Sequence, residues 1–332
     1  MGSKVTMAEI AQALGVSTVT VSRALSGKDG VGEAMRDSIL RAAADMGYQS
    51  KLPAKTKLGG ETVGILISSR FIGKGPAFYW DLYERVLDRL SEYDAFGILE
   101  PVKEEEENRD ELPRLVRNSR VRALLLIGQL ERHYQQALVS TGLPMVQLDE
   151  YSAGSGLDAV ISDGYYGMYT MTDYLLQHGH RRIAYVGLVG ATSSITDRYF
   201  GYCRALQEWN IPLHPDLIIP DRKDGVAFDL PLPREMPTAF ACSSDWVAQR
   251  LMQRLSEHGI RTPEDVSVVG FDGFAPLPLS PEITTYAVDM DGMASASVAQ
   301  LMERLTDPGR ARNLRIIPGH FQEGASVRTL ET

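Results

Sequence analysis

The stretch STVTVSRALSG, residues 17–27, gathers hydroxyl, β-branched and guanidinium side chains in one short run. Ser17 is a favourable helix N-cap, Val19, Val21, Ala24 and Leu25 supply apolar positions, and Gly27 ends the run. Val19 and Val21 do not both fit one helical face. An exposed valine does nothing for a purely structural helix. In a helix laid in a major groove it can touch a thymine methyl. Thr18 and Arg23 can then reach base edges or phosphates, and Arg is the commonest specific reader of guanine.

Other chemistries find no comparable pattern. The chain has no Gly-x-Gly-x-x-Gly after a strand, no Walker loop and no Gly-x-Ser-x-Gly elbow. Its histidines, in HYQQ, HGH and EHG, lack the His-Glu-x-x-His or Cys/His spacing of a metal site. His178 and His180 read as residues that end a helix favourably. The two cysteines, Cys203 and Cys242, read as reduced thiols. No cofactor, metal or enzymatic activity is expected.

The elements that must position Thr18, Val19 and Arg23 are short helices. Thr6 and Glu9 fit a capping box ahead of Met7, Ile10, Ala11 and Leu14, which share one helical face, and Gly15 breaks the run. Helix, Gly-containing turn, helix is the helix-turn-helix pattern. A third helix is predicted from about Glu33 to Met46 with Ile39, Leu40, Ala43 and Met46 inward, closed by Gly47. The alternative is a three-helix cap that docks on the rest of the chain. Charge separates the two regions. Residues 1–60 hold eight Lys and Arg against five Asp and Glu, and the remainder holds 26 against 38. A basic head on an acidic body places any polyanion at the head. The N-terminus MGSKVTMAEIA lacks a signal-peptide apolar stretch, and no apolar run reaches the roughly 20 residues that span a bilayer. A cytoplasmic protein with no membrane partner is expected.

Val16 to Gly27 resembles the DNA-binding head of the lactose/galactose repressor family. Its Val-Ser-x-x-Thr-Val-Ser-Arg-Ala-Leu-Asn-Gly motif is matched except for Ser26 in place of Asn. The resemblance implies that Thr18, Val19 and Arg23 read bases. It places Ser17, Thr20 and Ser22 for helix capping or phosphate contact, with Thr6 capping the helix before them and included in the DNA-facing set. There are departures. Val31, Gly32, Glu33, Ala34, Met35 and Arg36 stand where the family has Val-Ser-x-x-Thr-Arg, so one hydroxyl is missing. The family's hinge helix inserts a Leu into the minor groove. Here the segment reads YQSKLPAKTKLGG, with Lys55 and Lys57 where Arg is usual, and either Leu58 or Leu52 as the wedge. The alternative for this segment is a basic linker.

From Glu61 onward the chain alternates β-branched runs with amphipathic helices. TVGILIS, AFGILEP, RALLLIG and PMVQLDE read as parallel strands separated by helices FYWDLYERVLDRLSEY and EEEENRDELPRLVRN. The acid run Glu104–Glu107 reads as a solvated helix start, favoured by the helix dipole. The pattern repeats through IAYVG, PTAFACSS and DVSVVGFDG, and PEITTYAVDMDGMASASVAQLMERL is predicted to cross back to the first half. Two Rossmann-like lobes with a cleft at the strand C-termini follow. The motifs VISDGYYGMYTMTDYLLQHGHRRIAYVG, TDRYFGY, ACSSDWVA and DVSVVGFD are similar to the family's periplasmic-binding-protein-like effector domain.

The fold class expected is therefore an all-α helix-turn-helix head plus an α/β body of two Rossmann-like lobes. The division is 1–50 for the head, 51–60 for a hinge or linker and 61–332 for ligand binding and dimerisation. One lobe takes about 61–162 and 290–320, the other about 163–289. The resemblance implies an effector site from Phe78, Tyr79, Gln129, Asp149, Asp163, Thr192, Ser194, Arg198, Arg222, Asp245, Trp246 and Asp272. Asp245 is placed as the cap of the helix after ACSS, and Arg222 as a residue favouring an acidic or phosphorylated sugar. Carboxylates and an Arg around aromatic faces suit a polyhydroxylated ligand. The alternatives are helix capping for Asp163 and Asp272, and core packing for Phe78, Tyr79 and Trp246. The functional expectation is a transcriptional regulator, a repressor of carbohydrate-utilisation genes. It binds a pseudo-palindromic operator as a homodimer, with affinity set by a sugar-like effector. Two rivals remain: a sugar-processing enzyme with Asp163 and Asp272 as an acid–base pair, and a sugar sensor whose head binds protein.

Overall fold

Thr6 and Glu9 make the capping box their spacing implies: the Thr6 hydroxyl accepts the Glu9 N–H, and the Glu9 carboxylate accepts the Thr6 N–H at 2.6 Å. Helix α1 (Met7–Leu14) runs from it to Gly15, whose φ of 64° needs a residue without a Cβ. Ser17 starts α2 (Thr18–Leu25) by accepting the Thr20 N–H at 3.0 Å. Helix α3 (Glu33–Asp45) completes the head. Ile10, Ala11, Val21, Ala24, Ile39 and Ala43 form its core, with Met7, Leu14 and Met46 at the margin. This computed structural model describes residues 6–25, 31–46, 60–72, 78–223, 226–227, 230–273 and 282–331. Gly27, Gly47, Leu52, Lys55, Lys57 and Leu58 lie outside the described residues, as does the Leu40 side chain. The chain divides into two compact units, Met1–Lys57 and Leu58–Thr332.

The second unit begins with alternating elements: β1 (Thr62–Ser68), α4 (Phe78–Ser91), β2 (Phe96–Val102), α5 (Glu104–Asn108), α6 (Arg114–Arg117), β3 (Ala123–Ile127), α7 (Arg132–Val139), β4 (Met145–Leu148) and β5 (Asp158–Ser162). Then come α8 (Gly164–Gln177), β6 (Ile183–Val186), α9 (Ser193–Glu208), β7 (Ile218–Ile219), β8 (Arg222–Lys223), β9 (Val226–Ala227), β10 (Ala239–Cys242), α10 (Asp245–Glu257), β11 (Ser267–Asp272) and β12 (Thr284–Ala287). Helix α11 (Met290–Thr306), β13 (Leu314–Ile317) and β14 (His320–Gln322) end it.

Among the described residues the strands form two six-stranded sheets, with β8 and β9 as a separate antiparallel pair. The first has the order β13-β5-β4-β3-β1-β2, all parallel; the second has β14-β12-β11-β10-β6-β7, parallel except for β14. The near-continuous apolar strands ALLLI and DAVIS are buried throughout, as strands covered on both faces must be. Phe78, Leu82, Val86 and Leu90 recur every four residues along α4 and pack on the first sheet. Helices α8 and α9 approach so closely that a Cβ on Gly201 would lie 2.1 Å from the Tyr165 carbonyl oxygen.

The backbone passes between the sheets three times: after β5, after β12 and between β13 and β14. Helix α11 crosses back to pack on α4, β3, β4 and β5, as predicted. Strand β14 returns to the second sheet and β5 joins β4 to β13, two features that the alternating pattern of the sequence does not show.

Two sequence expectations need correction. The charged run is not one helix: α5 and α6 are separated at Arg109–Pro113, where the proline disfavours helix at the residue before it. The acid run is not wholly solvated either. Glu107 is fully buried and accepts the Ser68 hydroxyl at 2.5 Å and the Glu131 N–H at 2.7 Å.

Candidate functional site

In the head, Val21 faces the core while Val19 is 63% exposed. Thr18, Ser22 and Arg23 share its exposure, so α2 presents Thr18, Val19, Ser22 and Arg23 away from the core. Ser17 and Thr20 are joined through their hydroxyl oxygens at 2.8 Å, and Thr6 is held in its capping box. The remaining DNA-facing expectations, Lys55 and Leu58, fall outside the described residues.

In the second unit the C-terminal ends of the strands from both sheets meet in a cleft. Asp149 leaves β4 with φ 62°, and Asp272 ends β11 with φ 106°. These left-handed backbones turn each carboxylate out of its strand direction, at a strain of order 1–3 kcal/mol each. Arg198 of α9 lies in the cleft with them. Its Nη2 is 3.0 Å from Asp272 Oδ1, its Nη1 donates to the Ser243 carbonyl, and its guanidinium lies 3.9 Å from the Phe271 ring centroid. From the first lobe, the Tyr79 phenol donates to Asp149 Oδ2 at 3.0 Å. That bond lies within the first lobe; two others join the lobes: Ser193 Oγ donates to Glu150 Oε2 at 2.8 Å, and the Tyr151 phenol donates to Asp197 Oδ1 at 2.9 Å.

The cleft carries more carboxylate than cation. Burial pushes Asp149 up to about 6, although Arg198 and the Tyr79 hydrogen bond pull the other way. Burial pushes Asp272 up to about 7 against Arg198, with Asp245 and Asp149 adding repulsion. Glu150 also rises to about 7, mainly through burial. Among the described residues, Asp149 Oδ1, Arg198 Nε and Ser243 Oγ are buried with no hydrogen-bond partner. Such groups are normally satisfied, so their convergence marks a place where a polar ligand would complete the network. A cavity of about 600 Å³ reaches Asp272 from the crossover side, between Asp81, Arg85, Asp289 and His320.

The other expected residues have varied roles. Thr192 caps α9 through the Ile195 N–H and touches the Ser194 hydroxyl at 3.0 Å. Gln129 is half-buried after β3, and its carbonyl accepts from Arg70 at 2.9 Å. Asp163 caps α8 through the Tyr166 N–H at 3.0 Å, and Phe78 packs in the first-lobe core. Trp246 packs at the edge of the second-lobe core, 4.7 Å from the Arg250 guanidinium. Asp245 does not cap α10; Ser244 does, and the Asp245 carboxylate accepts the Gly273 N–H at 2.8 Å. The reason is geometric: Ser244 has the extended backbone of a cap, while Asp245 is already helical. Arg222 pairs with fully buried Asp221 at 2.6 Å, which neutralises its charge. His178 ends α8, but His180 is buried between Thr238 Oγ1 and the Arg328 carbonyl, and burial holds it down to about 4. Sequence reasoning missed Glu150, Tyr151, Ser193, Asp197 and Ser243. Only the acidic pair Asp149–Glu150 carried a readable hint.

Residues 6–51 match the family model "Bacterial regulatory proteins, lacI family", and residues 172–327 match the model "Periplasmic binding protein-like domain". The HTH-type transcriptional repressor PurR of Vibrio atlanticus is 27% identical over 98% of this chain and 99% of its own length. The ribose operon repressor of Haemophilus influenzae is 25% identical over 91% of this chain and 92% of its own. A solved CelR–cellobiose complex has a TM-score of 0.68 at 22% identity, covering 97% of this chain and 100% of that one. The lac repressor dimer bound to operator and the anti-inducer ONPF has a TM-score of 0.63 at 20% identity, covering 98% and 100%. At these identities the solved structures establish a shared fold. With a lacI-type head and a two-lobed binding body in one chain, this protein is a member of the lacI family of bacterial regulatory proteins, a DNA-binding transcriptional regulator.

Proposed function

We propose that this chain represses carbohydrate-utilisation genes in the cytoplasm. It binds a pseudo-palindromic operator as a homodimer, and a polyhydroxylated effector in the cleft sets its affinity. The observation that carries the reading is the cluster of Asp149, Arg198 and Asp272 with unpartnered Asp149 Oδ1, Arg198 Nε and Ser243 Oγ. Carboxylate oxygens accept ligand hydroxyls, while the guanidinium donates to a ring or hydroxyl oxygen. An uncharged polyol fits this balance, because Arg222 is neutralised by Asp221 and the cleft is already rich in carboxylate. Phosphorylated sugars are rejected. At the head, Thr18, Val19 and Arg23 read bases, Ser17, Thr20, Ser22 and Thr6 lie on or near the backbone, Lys55 contacts phosphate, and Leu58, or alternatively Leu52, wedges into the minor groove. One helix-turn-helix is a small interface, so two half-sites supply useful affinity. Relatives that bear the names of PurR and ribose operon repressors support a metabolic effector.

The mechanism is a population shift. The effector closes or opens the lobes that Ser193–Glu150 and Tyr151–Asp197 join, and so changes how the paired heads are spaced. Fluorescence anisotropy on DNA upstream of the protein's own gene tests the reading, across salt and with a panel of neutral and phosphorylated sugars. Selective binding that falls steeply with salt and responds to a neutral polyol is expected. Asp272→Ala should bind operator normally and lose that response. Sequence-indifferent binding, or a normal response in Asp272→Ala, contradicts the reading.

A further inference from the structure

Asp149 offers two acceptor oxygens, and they stand in different conditions. Oδ2 accepts the Tyr79 phenol at 3.0 Å, while Oδ1 is buried without a partner. The phenol is held as a donor: burial pushes its pKa well above the usual tyrosine value, and the charges of Asp149 and Glu150 push it further. The ring is also firmly placed. It meets Phe71 at 5.3 Å between centroids and Phe78 edge-on at 5.3 Å. Behind it lies Gly128, whose φ of 70° places the backbone against the ring; a Cβ there would come within 3.0 Å of Tyr79 Cζ and Oη. The first lobe is therefore shaped to hold this phenol on this carboxylate.

A neutral phenol hydroxyl and a sugar hydroxyl do the same thing to a carboxylate: each donates one hydrogen bond. We propose that Tyr79 is an internal occupant of one hydroxyl subsite in the cleft, and that an effector hydroxyl reaching Oδ2 of Asp149 competes with the phenol for it. Tyr79 is then a specificity-determining residue. A ligand with one hydroxyl in reach takes Oδ1 and leaves Tyr79 in place. A ligand with two adjacent hydroxyls exchanges the phenol for its own second donor, and its affinity is reduced by that competition. The inference rests on the reading of the cleft as a polyol site.

Two measurements on the full-length protein test it. The first needs no ligand: carboxyl ¹³C NMR follows the titration of Asp149 in wild type and Tyr79→Phe. Loss of the phenol hydrogen bond should move the Asp149 pKa upward. The second is calorimetric titration with the neutral sugar panel. Tyr79→Phe should bind vicinal-diol polyols roughly threefold to tenfold more tightly, the scale of one net hydrogen bond. Tyr79→Leu, which also removes the donor, should tighten binding in the same direction. A structural role would instead weaken binding in both variants. An unmoved Asp149 titration overturns the inference with no ligand involved. A moved titration with equal or weaker polyol binding overturns the competition while sparing the cleft. A moved titration with no polyol bound by any form overturns the polyol reading and the inference with it.

Discussion

Glu150 is buried, accepts two hydrogen bonds from Ser193, and still has its carboxyl pushed up to about 7 from 4.5. Between those two values the folded protein binds more protons than the unfolded chain. Its contribution to stability is therefore full below pH 4.5 and is lost as pH rises through about 7. Asp272, also raised to about 7, and Asp149, raised to about 6, act in the same direction. Glu150→Gln keeps an acceptor for Ser193 and removes the buried charge. Thermal unfolding should show the variant more stable than wild type at pH 8, by up to roughly 3 kcal/mol, with little difference at pH 4. Equal melting at both values would mean that Glu150 is well solvated.

At the scale of elements, α2 divides its two valines: Val21 enters the head core and Val19 stays out. Arg23→Ala lies on the outer side. It should fold normally and flatten operator preference, losing about 1–3 kcal/mol of discrimination at the base it reads. Anisotropy against single-base operator variants measures this; an unchanged preference profile removes Arg23 as a reader. Helix α5 makes a different demand. Glu107→Ala strands the Ser68 hydroxyl and the Glu131 N–H, which should cost about 2–3 kcal/mol in urea unfolding. Glu107→Gln should retain most of it. A neutral Glu107→Ala would mean that water reaches these partners.

These elements also mark what could be read in advance. Capping at Thr6 and the break at Gly15 rest on contacts a few residues apart, and the buried strands show as near-continuous apolar runs, so local pattern carries them even though the strands pair at long range. Glu107 meets partners 39 and 24 residues away, and Tyr79 meets Asp149 across 70. No local pattern separates Glu107 from its exposed neighbours Glu104 and Glu105. Likewise the position of Asp245 after ACSS suggests a local cap, while its carboxylate accepts the Gly273 N–H of another loop. The strand ends that frame the cleft were legible; the bonds that join the lobes there were not.

For the whole molecule, the two lobes keep separate cores and are linked by three backbone crossings, the kind of arrangement across which whole-lobe hinge motions occur. The proposed regulation depends on such motion. Ligand and operator then share a single conformational equilibrium, and their effects on one another must be reciprocal. The most direct test is calorimetric titration of the active polyol into the free protein and into the protein–operator complex. The polyol Kd should differ between the two by the same factor that the polyol changes operator Kd, on the order of 5–150-fold. An identical polyol Kd with and without operator would contradict the account, because cleft and head would then be uncoupled.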